Sequence, residues 1–126
     1  MYRAIPWNLL LKWGIAGTSQ TAYGRQLMKD AWSVYGREEY CDLADHGYRI
    51  FAQAVEAQSA YPVSCPVLLL CGEKDAAGSA KRYNRRWARL DGHRLVWIKG
   101  AGHNANADAP ETVNGLIDDF LHTLDG

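Results

Sequence analysis

The spacing of apolar positions divides the chain near residues 61–66 into a helical first half and a second half where short apolar runs alternate with helices. In the first half, Pro6 suits a first helical turn and Gly14 a stop, which predicts a short helix containing Trp7, Leu9, Leu10 and Trp13. Ser19 or Thr21 is placed to cap a second helix. Its apolar stripe is Tyr23, Leu27, Ala31 and Val34, widened by Met28, Trp32 and Tyr35 and ended by Gly36. A third and longer helix is predicted from about Glu38 to Ala60, with Tyr40, Leu43, Gly47, Phe51, Ala54 and Val55 on one side. Gly47 weakens that helix by about 1 kcal/mol relative to alanine unless a close approach offsets the loss.

From Cys65 the period changes. Val67 to Cys71 is a continuous apolar run, too short for a helix and bounded by Pro66 and Gly72, which predicts a strand buried on both faces. Ser79 then caps a helix to about Leu90, with Tyr83, Trp87 and Leu90 as its inner stripe, and Asp91-Gly92 turns the chain. Leu95 to Ile98 is a second buried strand. In the last helix, Asp108 and Glu111 resemble a capping box and Pro110 lies in the first turn, while Val113, Leu116, Ile117, Phe120, Leu121 and Leu124 form the stripe. Strand, helix, strand, helix with short connections predicts two parallel neighbours joined by a right-handed crossover.

Composition narrows the function classes. The 126 residues, 48% of them hydrophobic, suffice for one compact soluble unit. Fourteen basic and fourteen acidic side chains cancel, so no overall field favours nucleic acid or an anionic membrane, and a neutral small molecule is the expected partner. Cys41, Cys65 and Cys71 fit neither a disulfide framework nor a zinc site, which points to reduced thiols and a cytoplasmic location. Ile5 to Ile15 is broken by Pro6, Asn8 and Lys12 and has no cleavage site, so neither a targeting segment nor a membrane span is expected. His46, His93 and His122 lack ligand spacing, and no metal or cofactor is implied. Lys81, Arg82, Arg85, Arg86 and Arg89 form a basic helix face, read as a solvated surface in a chain without net charge.

Two polar residues fall where the carboxyl ends of parallel strands gather reactive groups. Asp75 lies four residues beyond Cys71, and His103 five beyond Ile98. A carboxylate within reach of a histidine can fix its tautomer and stabilise the imidazolium formed when it takes a proton from a nucleophile. Taken separately, Asp75 is also a suitable turn residue and His103 a suitable surface-loop histidine. Glu73 is a rival for the acid. Cys71 ends a strand before a glycine, but burial in an apolar run would raise its pKa, which favours a structural reading.

The segment Cys65-Pro66-Val67-Leu68-Leu69-Leu70-Cys71-Gly72-Glu73-Lys74-Asp75 resembles the acid-bearing strand and loop of α/β-hydrolases. Ile98-Lys99-Gly100-Ala101-Gly102-His103 resembles their histidine loop, and Asp108-Ala109-Pro110-Glu111 with the helix that follows is similar to their closing helix. The resemblance covers residues 63–124. It implies an α/β fold, here the C-terminal portion of an α/β-hydrolase: residues 1–62 a helical lid, residues 63–126 two parallel strands with flanking helices. It implies Asp75 as the acid and His103 as the base in the hydrolysis of an ester, amide or related acyl bond. Trp7, Trp13, Trp32, Tyr35, Tyr48 and Phe51 would then form lid core or pocket wall.

The chain departs from the family at the nucleophile. No Gly-x-Ser-x-Gly elbow is present, and Ser19, Ser33, Ser59, Ser64 and Ser79 lack the flanking glycines. No glycine-rich oxyanion loop is present either. The expectation is a chain inactive by itself, whose parent uses either serine or aspartate as nucleophile. The alternative is a noncatalytic short relative that binds a small apolar ligand or associates with another chain. A strand edge left bare on the Val67 to Cys71 side predicts self-association, most simply as a homodimer.

Overall fold

The computed structural model describes residues 2–57 and 63–124. After a short 3-10 turn at Tyr2–Ala4 come three helices, α1 (Trp7–Thr18), α2 (Ala22–Ser33) and α3 (Arg37–Glu56). They are followed by β1 (Leu69–Gly72), α4 (Ala80–Asp91), β2 (Leu95–Ile98), a single turn α5 (Ala105–Asp108) and α6 (Pro110–His122). The described residues are mostly helical, with one parallel pair of strands. The tail of the third helix expected at residues 58–60 lies outside the described residues.

Gly14 does not stop α1, which continues to Thr18. A Cβ on Gly14 would lie 2.0 Å from the ring of Trp32, so the glycine lets α2 approach α1 closely. Trp32 in turn meets Tyr40 in a tilted contact with ring centroids 5.0 Å apart, and Tyr40 meets Trp7 at 5.4 Å. These three rings join the three helices.

The face that α2 buries differs from the expected stripe. Tyr23 and Val34 are 66% and 74% exposed and Leu27 is exposed too, whereas Gly24 is buried and Met28 and Trp32 are half-buried. The inner positions therefore recur as Gly24, Met28, Trp32, with the smallest residue at the tightest contact. On α3, Tyr40 and Cys41 are covered while Leu43, Phe51 and Val55 are exposed. On α4, Tyr83, Trp87 and Leu90 are exposed, and the half-buried positions are Ala80, Lys81, Asn84 and Ala88, with the Lys81 ammonium donating to the Glu73 carbonyl rather than standing free on the basic face. The α4 arginines 82, 85, 86 and 89 face solvent as expected, with Arg85 also lying 4.8 Å over the ring of Trp97.

The first strand begins at Leu69 rather than Val67, and pairs in parallel with the second in the register Leu69↔Leu95, Leu70↔Val96, Cys71↔Trp97 and Gly72↔Ile98. Ile98, Ala101 and Val113 form the buried core, with Leu70, Val96, Ala105, Ala109 and Leu116 packed around it. One face of the strand pair is thus closed by α5 and α6. Burial on both faces is incomplete, because Leu95 and Trp97 remain half-buried. Along α6, Val113, Leu116 and Phe120 face inward, while Ile117, Leu121 and the residue beyond its end, Leu124, are exposed. No helix among the described residues is long and apolar enough to cross a membrane.

The caps also differ from expectation. Ser79 stands at the N-cap of α4 but makes no side-chain cap bond. Between Ser19 and Thr21, the cap of α2 is Thr21, whose hydroxyl accepts from the Gly24 N–H at 3.0 Å. Ser19 is fully buried and its hydroxyl has no protein partner among the described residues. Thr21→Ala is expected to cost about 1–2 kcal/mol, by loss of a cap and of a bond to a carboxylate. Ser19→Ala should be neutral or slightly stabilising, because it removes a buried hydroxyl that bonds to nothing. Urea unfolding of the two variants checks the contrast, and equal losses would contradict it.

Candidate functional site

Asp75 and His103 meet because the two strands end flush. Gly72 is opposite Ile98 in the register, so the loops that leave the strands run side by side from their first residues. The Glu73 N–H donates to the Ile98 carbonyl at 3.0 Å and the Lys74 N–H to the Ala101 carbonyl at 2.8 Å. The Gly100 N–H donates to the Glu73 carboxylate at 3.2 Å. Glu73 is thereby occupied in joining the loops. Gly100 has φ +73°, a left-handed turn for which glycine carries no steric cost.

Within this frame Asp75 Oδ2 lies 3.0 Å from His103 Nδ1. The second oxygen, Oδ1, accepts from the Ala77 N–H at 2.8 Å. Both carboxylate oxygens are therefore engaged and the side chain is oriented. Burial of the pair is asymmetric: the Asp75 side chain is 4% exposed and that of His103 46%. With its proton on Nδ1, the imidazole donates to Asp75 and leaves Nε2 as an acceptor. Glu73 makes no such contact, and the carboxylate facing the ring is that of Asp75.

Cys71 lies beneath the pair, its Sγ 3.9 Å from Asp75 Oδ2. Burial, reinforced by the adjacent Asp75 charge, pushes its thiol pKa up. A raised pKa leaves little thiolate near neutrality, so the sulfur is a poor nucleophile. Among the described residues no group of His, Cys, Asp and Glu is arranged to hold a metal ion.

The main feature not anticipated is Asp108. Its expected role was to cap the last helix, yet that helix begins at Pro110 after Ala109 and has no side-chain cap bond. The Asp108 carboxylate turns instead to the corner between α1 and α2. Oδ1 accepts from the Thr21 N–H and hydroxyl, each at 3.0 Å, and both oxygens share the Gln20 N–H at 2.9 Å. Oδ2 also accepts from the Gly102 N–H at 2.8 Å. Burial acts to raise the Asp108 pKa, but the N–H groups of Thr21, Gly102 and Gln20 and the Thr21 hydroxyl outweigh it and hold the value below the usual carboxylate range.

The described fold, with its flush parallel strands and an acid and a histidine at their carboxyl ends, is consistent with part of an α/β-hydrolase domain. Residues 32–125 match the model of the α/β-hydrolase family described as TAP-like protein, and the chain belongs to that family. No curated protein and no solved structure matches the chain. The family match begins within α2 and so includes α3 as well as the strands.

The lowered pKa of Asp108 sets a pH dependence of stability. A carboxyl group whose pKa is lower folded than unfolded stabilises the fold above its unfolded value, about 3.9, and loses that contribution as pH falls through the folded value. Wild type should therefore exceed Asp108→Asn in stability by a constant amount near neutrality, with the gap closing below about pH 4. Urea unfolding across pH 3–7 reads the gap. A gap independent of pH would show that the charge of Asp108 is not what holds the corner.

Proposed function

We propose that this chain provides the acid and the general base of a hydrolytic triad in an α/β-hydrolase acting on an ester, amide or related acyl bond. The observation that carries the reading is the 3.0 Å contact between the buried Asp75 carboxylate and Nδ1 of the exposed His103. Asp75 orients the ring and stabilises its protonated form. His103 Nε2 takes the proton of an attacking serine and later returns a proton to the leaving group; where the nucleophile is instead an aspartate, the same nitrogen takes a proton from the water that hydrolyses the covalent intermediate. The nucleophile comes from outside these 126 residues, since no serine here lies in an elbow. Residues 1–62 serve as the helical lid and residues 63–126 as the C-terminal part of the hydrolase core.

On this reading the 126-residue chain by itself hydrolyses activated esters no faster than a denatured control, and no serine reacts with a fluorophosphonate. Stoichiometric labelling of any serine would overturn it. Joined to a nucleophile-bearing half, His103→Ala and Asp75→Asn should each lower kcat roughly a thousandfold or more with KM little changed. Equal losses in substrate binding and turnover, with the fold intact, would make the histidine structural.

A second, noncatalytic reading draws on the exposed apolar residues Leu43, Phe51 and Val55 of α3 and Tyr83 and Leu90 of α4. Such faces mark association surfaces. The chain alone is then expected to self-associate, most simply as a two-fold dimer, and size exclusion with light scattering decides. A cooperatively folding monomer at micromolar concentration would exclude it.

A further inference from the structure

His103 is held on both sides by the same structural corner. Its preceding residue, Gly102, donates its N–H to Asp108, whose carboxylate also receives the N–H groups of Gln20 and Thr21. Its following residue, Asn104, donates its N–H directly to the Thr18 carbonyl at 2.9 Å. His103 is thus the single residue between two ties to residues 18–21. The fit at the first tie is close: a Cβ on Gly102 would lie 2.9 Å from the Thr18 carbonyl oxygen and 3.2 Å from Asp108 Oδ2. On the α2 side, a Cβ on Gly24 would lie 2.6 Å from Asp108 Oδ1. The carboxylate fills a space shaped for it by two glycines.

From this geometry we infer that Asp108 is a positioning residue for His103, and that the α1–α2 corner is the platform that aims the imidazole at Asp75. The inference rests on the reading of Asp75 and His103 as a working pair. Asp108 makes no contact with the ring. It acts through Gly102, one residue away, by converting the position of residues 20–21 into the position of the histidine backbone. The loop is tied on its other side to the acid loop through Lys74 N–H and the Ala101 carbonyl, so residues 101 and 102 are fixed from opposite directions. Loss of the Asp108 tie leaves the loop held to α1 and α2 through Asn104 alone, by its N–H on the Thr18 carbonyl and its side-chain amide on Met28 Sδ, and leaves the Gly102 N–H on the other side of His103 without its partner. A further consequence concerns α1 and α2: this corner cannot swing away from the strands without carrying the histidine loop with it. Whatever part of the helical segment opens, residues 18–21 stay.

The imidazole reports its own aim. A histidine in water favours the proton on Nε2, whereas a ring aimed at a carboxylate through Nδ1 carries it on Nδ1, and the two tautomers have distinct ring nitrogen shifts. Long-range proton–nitrogen correlation on the full chain, at about pH 8.5 where an ordinary imidazole is neutral, reads the tautomer. His103→Gln assigns the signal among the four histidines. The wild-type ring is expected to be Nδ1-protonated. In Asp108→Ala its nitrogen shifts should move to the solvent-averaged values, and the Gly102 amide should exchange at least about tenfold faster. Asp108→Asn keeps the shape and one acceptor oxygen but turns an NH2 group toward N–H donors. It should show the same change in part, and decides the matter if the alanine variant does not fold. Variants that fold and keep the Nδ1 proton would overturn the positioning role while leaving the pair intact. A wild-type ring without the Nδ1 proton would overturn the pair itself, and the inference with it.

Discussion

Two adjacent loops can share a site only if no side chain separates them, and Gly72 is where that condition is met. A Cβ there would lie 2.0 Å from the carbonyl oxygen of Gly102 and 2.5 Å from that of Ala101, both backbone atoms with little freedom to retreat. Because the space is empty, the histidine loop crosses directly over the end of β1. The Lys74 bond to Ala101, the Glu73 bond to Ile98 and the 3.0 Å contact of Asp75 with His103 all follow from that crossing. Glycine is needed here for close approach. The left-handed turn of the same loop falls to Gly100, so two separate demands, room and rotation, are met by two different glycines.

The second constraint is electrostatic. A partly buried carboxylate loses hydration, and it remains ionised only if N–H and O–H donors replace the lost water. Asp108 collects such donors from two residues of the α1–α2 corner and one of the histidine loop. A negative charge needs several donors at once, and this makes it a stronger joint between distant segments than a neutral acceptor would be. The corner and the loop are brought together by what the charge requires. Apolar contact plays a smaller part at this point, where the partners bonded to the carboxylate are Gln20, Thr21 and Gly102.

These two constraints were unequally visible in the amino-acid order. That Asp75 and His103 lie in neighbouring loops was legible because each follows an apolar run and a glycine in a short loop at a strand's carboxyl end, while the choice between a working pair and two ordinary loop residues rested on the family resemblance. Asp108 was misread because Asp-x-x-Glu before an apolar helix has a local meaning as a cap, while its real donors at Gln20 and Thr21 are more than eighty residues away. No local pattern reports such a pairing. The inner faces of α2 and α4 departed from expectation for a related reason. Apolar residues at helical spacing show that a face avoids water, but small residues decide which face comes closest to a neighbour, and Gly24 on α2 and Ala80 and Ala88 on α4 took the inner positions. The match to the hydrolase family covers residues 32–125 and so includes α3 along with the strands.

The asymmetry of the Asp75–His103 pair bears on what such a site can do. Here the carboxylate has one oxygen engaged by the Ala77 N–H and the other by the ring, with the Cys71 thiol 3.9 Å from that second oxygen. The ring, by contrast, keeps one nitrogen free of Asp75 on a side chain that is nearly half exposed. On the proposed reading, the group that orients is shielded while the group it orients stays accessible. Proton transfer to an incoming molecule requires that division, because the base must be reached and the acid behind it must not be hydrated away. A carboxylate serving only to hold the loop would do so equally well by accepting from backbone N–H groups, as Asp108 does six residues from Gly102. On the proposed reading the two carboxylates divide the work: Asp108, bonded to three backbone N–H groups and the Thr21 hydroxyl, places the loop, and Asp75, bonded to the imidazole and the Ala77 N–H, sets the ring.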